Sequence, residues 1–265
     1  MLESKYKIME VFKHMYTLES SKEGLEHFLS FPLSSSTDVL NEFSKLPGAI
    51  SCFNGDKNNY VYIPGTRKDR VVLVAHADTV WDSVYLNYKI EAQTINFKKG
   101  IYYGNHSHCG IGADDRAGCA ILWLLKDMGH SLLVVDGEEH GQIGSNHIRS
   151  TNPDLYKELN NHSYMIQFDR RGRDDYKCYK LPVTEKFKKF IEEATGYHDA
   201  GRTARTDIVA LCENICGVNL SVGYYDEHSS YEFLVFDEWF HTLNIVHNLL
   251  KEKQERYPLA DIDNF

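Results

Sequence analysis

The sequence lacks the features that define several protein classes. None of its six cysteines forms a Cys-x-x-Cys pair, and their spacing gives no disulfide framework, which predicts a reduced, cytoplasmic chain. No apolar run approaches the ~20 residues that a membrane span requires. The N-terminal segment Met1–Lys7 has no apolar signal core. We therefore expect neither a membrane partner nor secretion.

Positive charge is also scarce. The 29 lysines and arginines are outnumbered by 38 aspartates and glutamates, which gives a net charge of −9. A nucleic-acid-binding protein needs a basic face, so this balance argues against nucleic acid as a partner. The chain has no Pro/Gly/Ser-rich linker, low-complexity stretch or internal repeat. Its 265 residues can bury one large core, and we predict a single domain over residues 1–265.

Buried strands and amphipathic helices alternate along the chain. Val71–Ala75, Leu132–Asp136 and Tyr164–Phe168 are continuous apolar runs, as in strands that are buried on both faces. Further strands are predicted at 50–53, 60–63 and 217–224, a hairpin at 94–103, and helices at 8–16, 37–43, 114–128, 184–194, 207–213 and 229–253. The alternation predicts an α/β fold with a mixed, mostly parallel central sheet and helices on both faces.

Acidic or histidine motifs follow the apolar runs in a fixed order. They are His76-Ala77-Asp78, Gly112-Ala113-Asp114-Asp115, Glu138-Glu139, Asp169 and His228. Most of them come at the carboxyl end of a predicted strand, where ligands bind in open α/β sheets. Two histidines and a surplus of carboxylates are suitable ligands for a pair of divalent metal ions, with carboxylates left for acid–base chemistry.

Each motif alone also has a purely structural explanation. His76 is consistent with a histidine that merely ends a strand, Asp114 with a helix N-cap, and Glu138-Glu139 with a solvated loop. Asp169 is consistent with a turn residue and His228 with a loop before the last helix. The occurrence of all five in this order at strand ends favours one shared site.

The motifs resemble those of the di-zinc exopeptidases related to peptidase T and glutamate carboxypeptidase. The resemblance is carried by His76-Ala-Asp-Thr-Val80, Gly112-Ala-Asp-Asp-Arg-Ala-Gly118, Gly137-Glu-Glu-His140 and His228-Ser-Ser-Tyr-Glu232. It extends from Val71 to the C-terminus and implies the zinc exopeptidase fold, with its phosphorylase/hydrolase-like core.

The resemblance also implies the metal ligands. His76, Asp114 and Asp169 would hold one zinc ion. Glu139 and His228 would hold a second ion together with Asp114, which would bridge the two. The implied cofactors are therefore two divalent metal ions, zinc first, with cobalt or manganese as alternatives.

Two catalytic roles follow from the same resemblance. Glu138 would be the general base that deprotonates the attacking water and later protonates the leaving amine. Asp78 would orient the ring of His76. The peptide bond between Asp114 and Asp115 is often cis in such enzymes.

The chain departs from the peptidase T pattern between its last two ligands. Peptidase T-like enzymes carry a lid or dimerisation domain there, but Asp169 and His228 are only 59 residues apart. We therefore predict a catalytic domain without an inserted lid.

Residues of the short segment that replaces the lid are candidates for substrate binding. We expect one of its arginines to anchor a substrate carboxylate, because a guanidinium group binds carboxylates with paired donors; a solvated basic surface is the alternative. The arginines are Arg170, Arg171, Arg173, Arg202 and Arg205, and Asp207 is a further candidate near the pocket.

The sequence therefore predicts a metal-dependent hydrolase that cleaves an amide bond. The leading hypothesis is an exopeptidase, an amino-, di- or tripeptidase, that acts on short peptides through a water activated by two metal ions. A deacylase of N-acyl amino acids would use the same core chemistry. Two non-enzymatic alternatives are a relative that only binds metal or peptide and an α/β domain without metal. The oligomeric state is left open.

Overall fold

The computed structural model describes residues 17–55, 57–82, 94–105 and 107–260. The helices are α1 (Leu18–Leu29), α2 (Ser36–Ser44), α3 (Ala113–Leu125), α4 (Ile143–Thr151), α5 (Pro153–Leu159), α6 (Glu185–Thr195), α7 (Asp207–Leu211) and α8 (Phe236–Lys251). The strands are β1 (Ile50–Cys52), β2 (Tyr60–Ile63), β3 (Val72–His76), β4 (Ile95–Lys98), β5 (Ile101–Gly104), β6 (Ser131–Val135), β7 (Met165–Arg170), β8 (Asp175–Lys177), β9 (His198–Asp199), β10 (Gly217–Ser221), β11 (Tyr224–Tyr225) and β12 (Phe233–Val235).

The central sheet has eight strands in the order β1-β2-β6-β3-β7-β10-β8-β9. Strands β6, β3, β7 and β10 run parallel to their neighbours within this group, while β1, β2 and β8 introduce antiparallel pairs. All residues of β3 and β6 are buried, as their continuous apolar sequences require. The mixed, mostly parallel sheet predicted from the sequence is confirmed.

Helices pack on the central sheet. Helix α3 packs on β3 and β7, with α1 against its outer side, and α7 packs on β7, β10 and α4. Helix α6 begins where predicted, because the Thr184 hydroxyl caps it by accepting the Phe187 N–H at 3.2 Å. No helix in the described ranges has the length and apolar character needed to span a bilayer.

A second, four-stranded antiparallel sheet has the order β11-β12-β5-β4. The predicted hairpin forms its β4–β5 edge, and β12 pairs with β5 in the register Leu234↔Tyr102. The prediction that the final helix begins at Ser229 is wrong, because this helix begins at Phe236. The residues before Phe236 form β11, a loop and β12, because β11 pairs with β12 and β12 pairs with β5.

Other boundaries also differ from the sequence prediction. Asp169 lies inside β7, which continues to Arg170, rather than following the strand. Helices α1, α4 and α5 were not predicted, although the Leu25, Phe28 and Leu29 spacing in α1 is helical. The predicted helix at 8–16 lies outside the described residues.

Candidate metal centre

The parallel strands bring three of the motifs to one edge of the sheet. His76 is the last residue of β3 and pairs with Val135, the last residue of β6. The Glu138-Glu139 loop follows β6, and Asp169 lies near the carboxyl end of β7. This is the edge at which α/β folds bind ligands.

Asp114 stands between two groups of possible metal ligands. In the first group, the His76 Nε2 atom is 3.1 Å from Asp114 Oδ1 and 3.4 Å from Asp169 Oδ1. In the second group, the His228 Nε2 atom is 3.1 Å from Asp114 Oδ2 and 3.0 Å from Glu139 Oε1. The ligand atoms of each group all lie within 4.8 Å of one another. The structure therefore brings together all five residues for which the sequence predicted metal binding.

The chemistry of this site fits two divalent cations. Burial raises the pKa of Glu138 to about 10, with repulsion from Asp169 adding to the effect. Burial also raises the pKa of Glu139 and Asp169 above their ordinary values. The buried Glu139 Oε1 has the His228 ring, with Nε2 at 3.0 Å, as its one polar partner among the described residues. A buried, mutually repelling carboxylate cluster of this kind is stabilised by bound cations.

The histidines respond to the same carboxylates. Burial acts to lower the pKa of His76, but the Asp169 and Asp114 carboxylates raise it well above its ordinary value. Hydrogen bonds to Asp114 and Glu139 raise the pKa of His228, which is half-buried, to about 11. Both rings direct Nε2 at Asp114, His76 towards Oδ1 and His228 towards Oδ2, so each ring nitrogen belongs to a different ligand group.

Asp78 connects the first ligand to the glutamate loop. Its backbone carbonyl lies 3.1 Å from His76 Nδ1, and its Oδ1 lies 3.4 Å from the same nitrogen. Its carboxylate also accepts the N–H groups of Glu138 at 3.1 Å and Glu139 at 3.3 Å. This position is consistent with the proposed orienting role, since it holds Nδ1 and leaves Nε2 for the site.

The Asp114 loop is built by residues that the sequence analysis did not assign. The peptide bond between Asp114 and Asp115 is cis. The buried Asp115 carboxylate accepts the N–H groups of His76 at 3.1 Å and Gly118 at 2.9 Å. A Cβ atom on Gly118 would come within 2.4 Å of Asp115 Oδ1, so a side chain does not fit there.

Glu232 is a second unassigned supporting residue. Its buried carboxylate accepts the N–H groups of Ile111 and Gly112, both at 2.7 Å, and of Asp114 at 3.0 Å. It thereby joins the loop of His228 to the loop of Asp114. Its position four residues after His228 was visible in the quoted motif, but its burial was not.

Asp169 is fixed by several donors. Its Oδ2 atom accepts hydrogen bonds from Thr206 Oγ1 at 2.7 Å and Gln167 Nε2 at 3.1 Å, and its Oδ1 from the Tyr224 hydroxyl at 3.2 Å. The Gln167 amide also donates to Asp207 Oδ2 at 3.1 Å. Asp207 was predicted as a candidate for substrate binding near the pocket. It is fully buried and does not line the cleft, so it acts on the site through its hydrogen bond with Gln167.

A cleft of about 340 Å³ lies over the ligands, and four cationic residues among those that line it form its cationic wall: Arg170, Arg171, Lys177 and Arg205. Of these, Arg170 forms a two-pronged ion pair with Asp175 at 2.6 and 2.7 Å. Arg171 lies 3.2 Å from Glu227. Arg205 borders the cleft without an ion pair to any described residue. Of the predicted arginines that line the cleft, Arg170 and Arg171 are thus paired with carboxylates, and Arg205 is the one with no such pair among the described residues.

A mixed α/β sheet with histidine and carboxylate side chains at its parallel strand ends is the arrangement found in metal-dependent peptidases, and the family match supports this class. The chain belongs to peptidase family M28, whose profile matches residues 58–208. The matched segment contains all the predicted ligands except His228. No curated protein sequence matches the chain at a significant level.

Solved structures of peptidases share the fold. The chain is similar to the aminopeptidase PepT from Bacillus cereus ATCC 10987 (TM-score 0.62, 13% identity, covering 89% of this chain and 98% of that one). A tripeptidase from Staphylococcus aureus subsp. aureus Mu50 gives a TM-score of 0.63 at 13% identity, with the same coverage. An aminopeptidase from the archaeon Desulfurococcus kamchatkensis gives 0.62 at 11% identity, covering 89% and 96%. At these identities the similarity establishes the fold.

Proposed function

We propose that the protein is an exopeptidase that hydrolyses short peptides with two divalent metal ions. The observation that carries the proposal is the position of Asp114, whose two oxygens each lie 3.1 Å from a histidine of a different ligand group. His76 and Asp169 would complete one site, and Glu139 and His228 the other. Zinc is typical of the family, with cobalt or manganese as alternatives. Bound cations of this kind supply Lewis acidity, which polarises a carbonyl and lowers the pKa of water.

Glu138 is the proposed general base. It borders the cleft beside Asp114 and Asp169 but belongs to neither ligand group. Cations held by those groups would lower its raised pKa, so that Glu138 is ionised and can act as a base. It would take a proton from water as the water oxygen bonds to the scissile carbonyl carbon. It would then give that proton to the amine nitrogen as the carbon–nitrogen bond breaks.

The cleft is proposed to belong to one catalytic domain without an inserted lid. Every residue between Asp169 and His228 is described, and this segment supplies β8, β9 and β10 of the central sheet. The segment is therefore part of the same sheet that carries the candidate metal ligands. We therefore propose that the residues lining the cleft make the substrate contacts that a lid makes in peptidase T-like enzymes.

A deacylase acting on N-acyl amino acids is the second candidate. It is favoured by the cationic wall, because such a substrate always carries a carboxylate beside the scissile amide. The chemistry at Glu138 would be the same, and the two candidates differ only in what occupies the acyl side of the cleft.

Hydrolysis assays with purified protein distinguish these candidates. Free dipeptides, tripeptides, blocked dipeptides and N-acetyl amino acids would each be incubated with zinc, cobalt or manganese. We expect amino acids to be released from free short peptides, the activity to be lost on chelation, and zinc to restore it. A preference for N-acetyl amino acids would select the deacylase. Absence of hydrolysis with all three metals, or hydrolysis that survives complete chelation, would contradict the proposal.

A further inference from the structure

The cationic wall of the cleft contains a buried lysine that lacks a counter-ion. Lys177, at the end of β8, is only 9% exposed and borders the cleft. Its Nζ atom donates to the carbonyl and the hydroxyl of Thr203, both at 3.3 Å. No carboxylate in the described ranges lies within ion-pair distance of it. The ring of Tyr179, with its centroid 6.0 Å from Nζ, offers a further weak interaction. Burying an ammonium group without a carboxylate partner is costly, and these contacts with neutral groups compensate for it only in part.

The charged groups around Lys177 do not compensate for the cost of burying its ammonium group. Burial lowers the pKa of Lys177, and the neighbouring Arg170 guanidinium lowers it further. The two carboxylates that act on Lys177 from further away, Asp175 and Asp199, are already paired with Arg170 and Lys188. An anion entering the cleft would therefore gain the interaction that the protein itself does not provide.

Lys177 and Arg205 are both connected to the first ligand group. Lys177 pairs across the sheet with Asn219, whose side chain bonds both backbone groups of Asp169. Arg205 directly precedes Thr206, which donates to Asp169 at 2.7 Å. The segment 203–206 thus contacts the Lys177 ammonium group at Thr203 and the candidate metal ligand Asp169 at Thr206. An anion held here would lie beside the reacting centre.

We propose that Lys177 and Arg205 form a subsite for a carboxylate on the leaving side of the scissile amide, so that the preferred substrates end in a free carboxylate one residue after that bond. This proposal rests on the proposed peptidase function and narrows it to substrates cleaved one residue before their C-terminus, of which dipeptides and N-acyl amino acids are the shortest. The carboxylate could belong to the C-terminus or to an acidic side chain of the same residue. The C-terminus is favoured because every substrate of this length carries it.

The test compares substrates that differ in one charge. L-Leu-L-Leu, L-Leu-L-Leu-amide and L-Leu-L-Glu-amide would be assayed with the wild type and with Lys177→Met and Arg205→Met. Each variant should raise KM for L-Leu-L-Leu by about tenfold or more, since it removes a hydrogen bond between two charged groups. The KM for L-Leu-L-Leu-amide should change less than twofold. Lys180→Met and Arg149→Met, at exposed positions outside the cleft wall, are the matched controls.

Binding provides a readout that is independent of turnover. Calorimetric titration of L-Leu-L-Leu into zinc-loaded Glu138→Gln protein, with and without the Lys177→Met change, should show the same loss of affinity. Lys177→Met should leave the unfolding temperature unchanged or raise it, because it removes an unpaired buried charge. Lys177→Arg should restore part of the affinity.

The outcomes separate the two proposals. Absence of peptide hydrolysis by the wild type would contradict the peptidase function, whereas the binding comparison would still test the subsite. A loss confined to L-Leu-L-Glu-amide would overturn the C-terminal assignment in favour of an acidic side chain. Equal losses for L-Leu-L-Leu and its amide, or no loss for either, would overturn the subsite.

Discussion

We expect Glu138→Gln to lower kcat for peptide hydrolysis by about 10³-fold while the protein keeps its full metal content. General acid–base catalysis contributes on the order of 10²–10⁴-fold, and glutamine cannot carry the proton. The substitution is nearly isosteric, and the backbone at this position is held by the bond from the Glu138 N–H to Asp78, which it leaves intact. Steady-state kinetics and elemental analysis on the same preparation would measure both quantities.

The adjacent residue supplies the matched control. Glu139→Gln makes the same chemical change one position later, at a carboxylate that lies 3.0 Å from His228 Nε2. We expect this variant to lose metal affinity as well as activity, because it removes a ligand. If Glu138→Gln retained activity within tenfold of the wild type, or lost its metal as Glu139→Gln should, the assignment of the base would be wrong.

Replacing Asp114 with alanine is expected to empty both metal positions. Each of its oxygens faces one ligand group, so one substitution removes a ligand from both. Peptide hydrolysis should fall to the background rate. After dialysis against metal-free buffer, elemental analysis should find about two ions per wild-type chain and close to none in the variant.

Asp169→Asn serves as the comparison for this prediction. Asp169 belongs to one ligand group only, so its replacement should weaken one site and leave about one ion per chain. Circular dichroism and unfolding temperatures would verify that both variants are folded. Retention of one ion by Asp114→Ala would show that Asp114 does not bridge.

The sequence predicted the position of the site because its signals are local. Continuous apolar runs identified the strands, and the parallel arrangement of β3, β6, β7 and β10 placed their carboxyl ends together. Once the strand ends coincide, His76, Asp169 and the glutamate loop must be neighbours. No long-range contact had to be known to reach that conclusion.

The parts that the sequence did not predict depend on long-range pairing. The loop that carries His228 is set by β12, which pairs with β5 more than 120 residues earlier, and a helix was therefore predicted too early. The roles of Asp115 and Glu232 depend on which backbone N–H groups their oxygens accept. The burial of Lys177 likewise follows from the packing around β8 and not from its neighbours in the sequence.

Anomalous diffraction at the zinc edge tests the central claim most directly. Crystals of protein loaded with zinc should show two anomalous peaks in the cleft, one next to His76 and Asp169 and the other next to Glu139 and His228, with Asp114 contacting both. A single peak in the cleft, or zinc bound only elsewhere on the protein, would contradict the account.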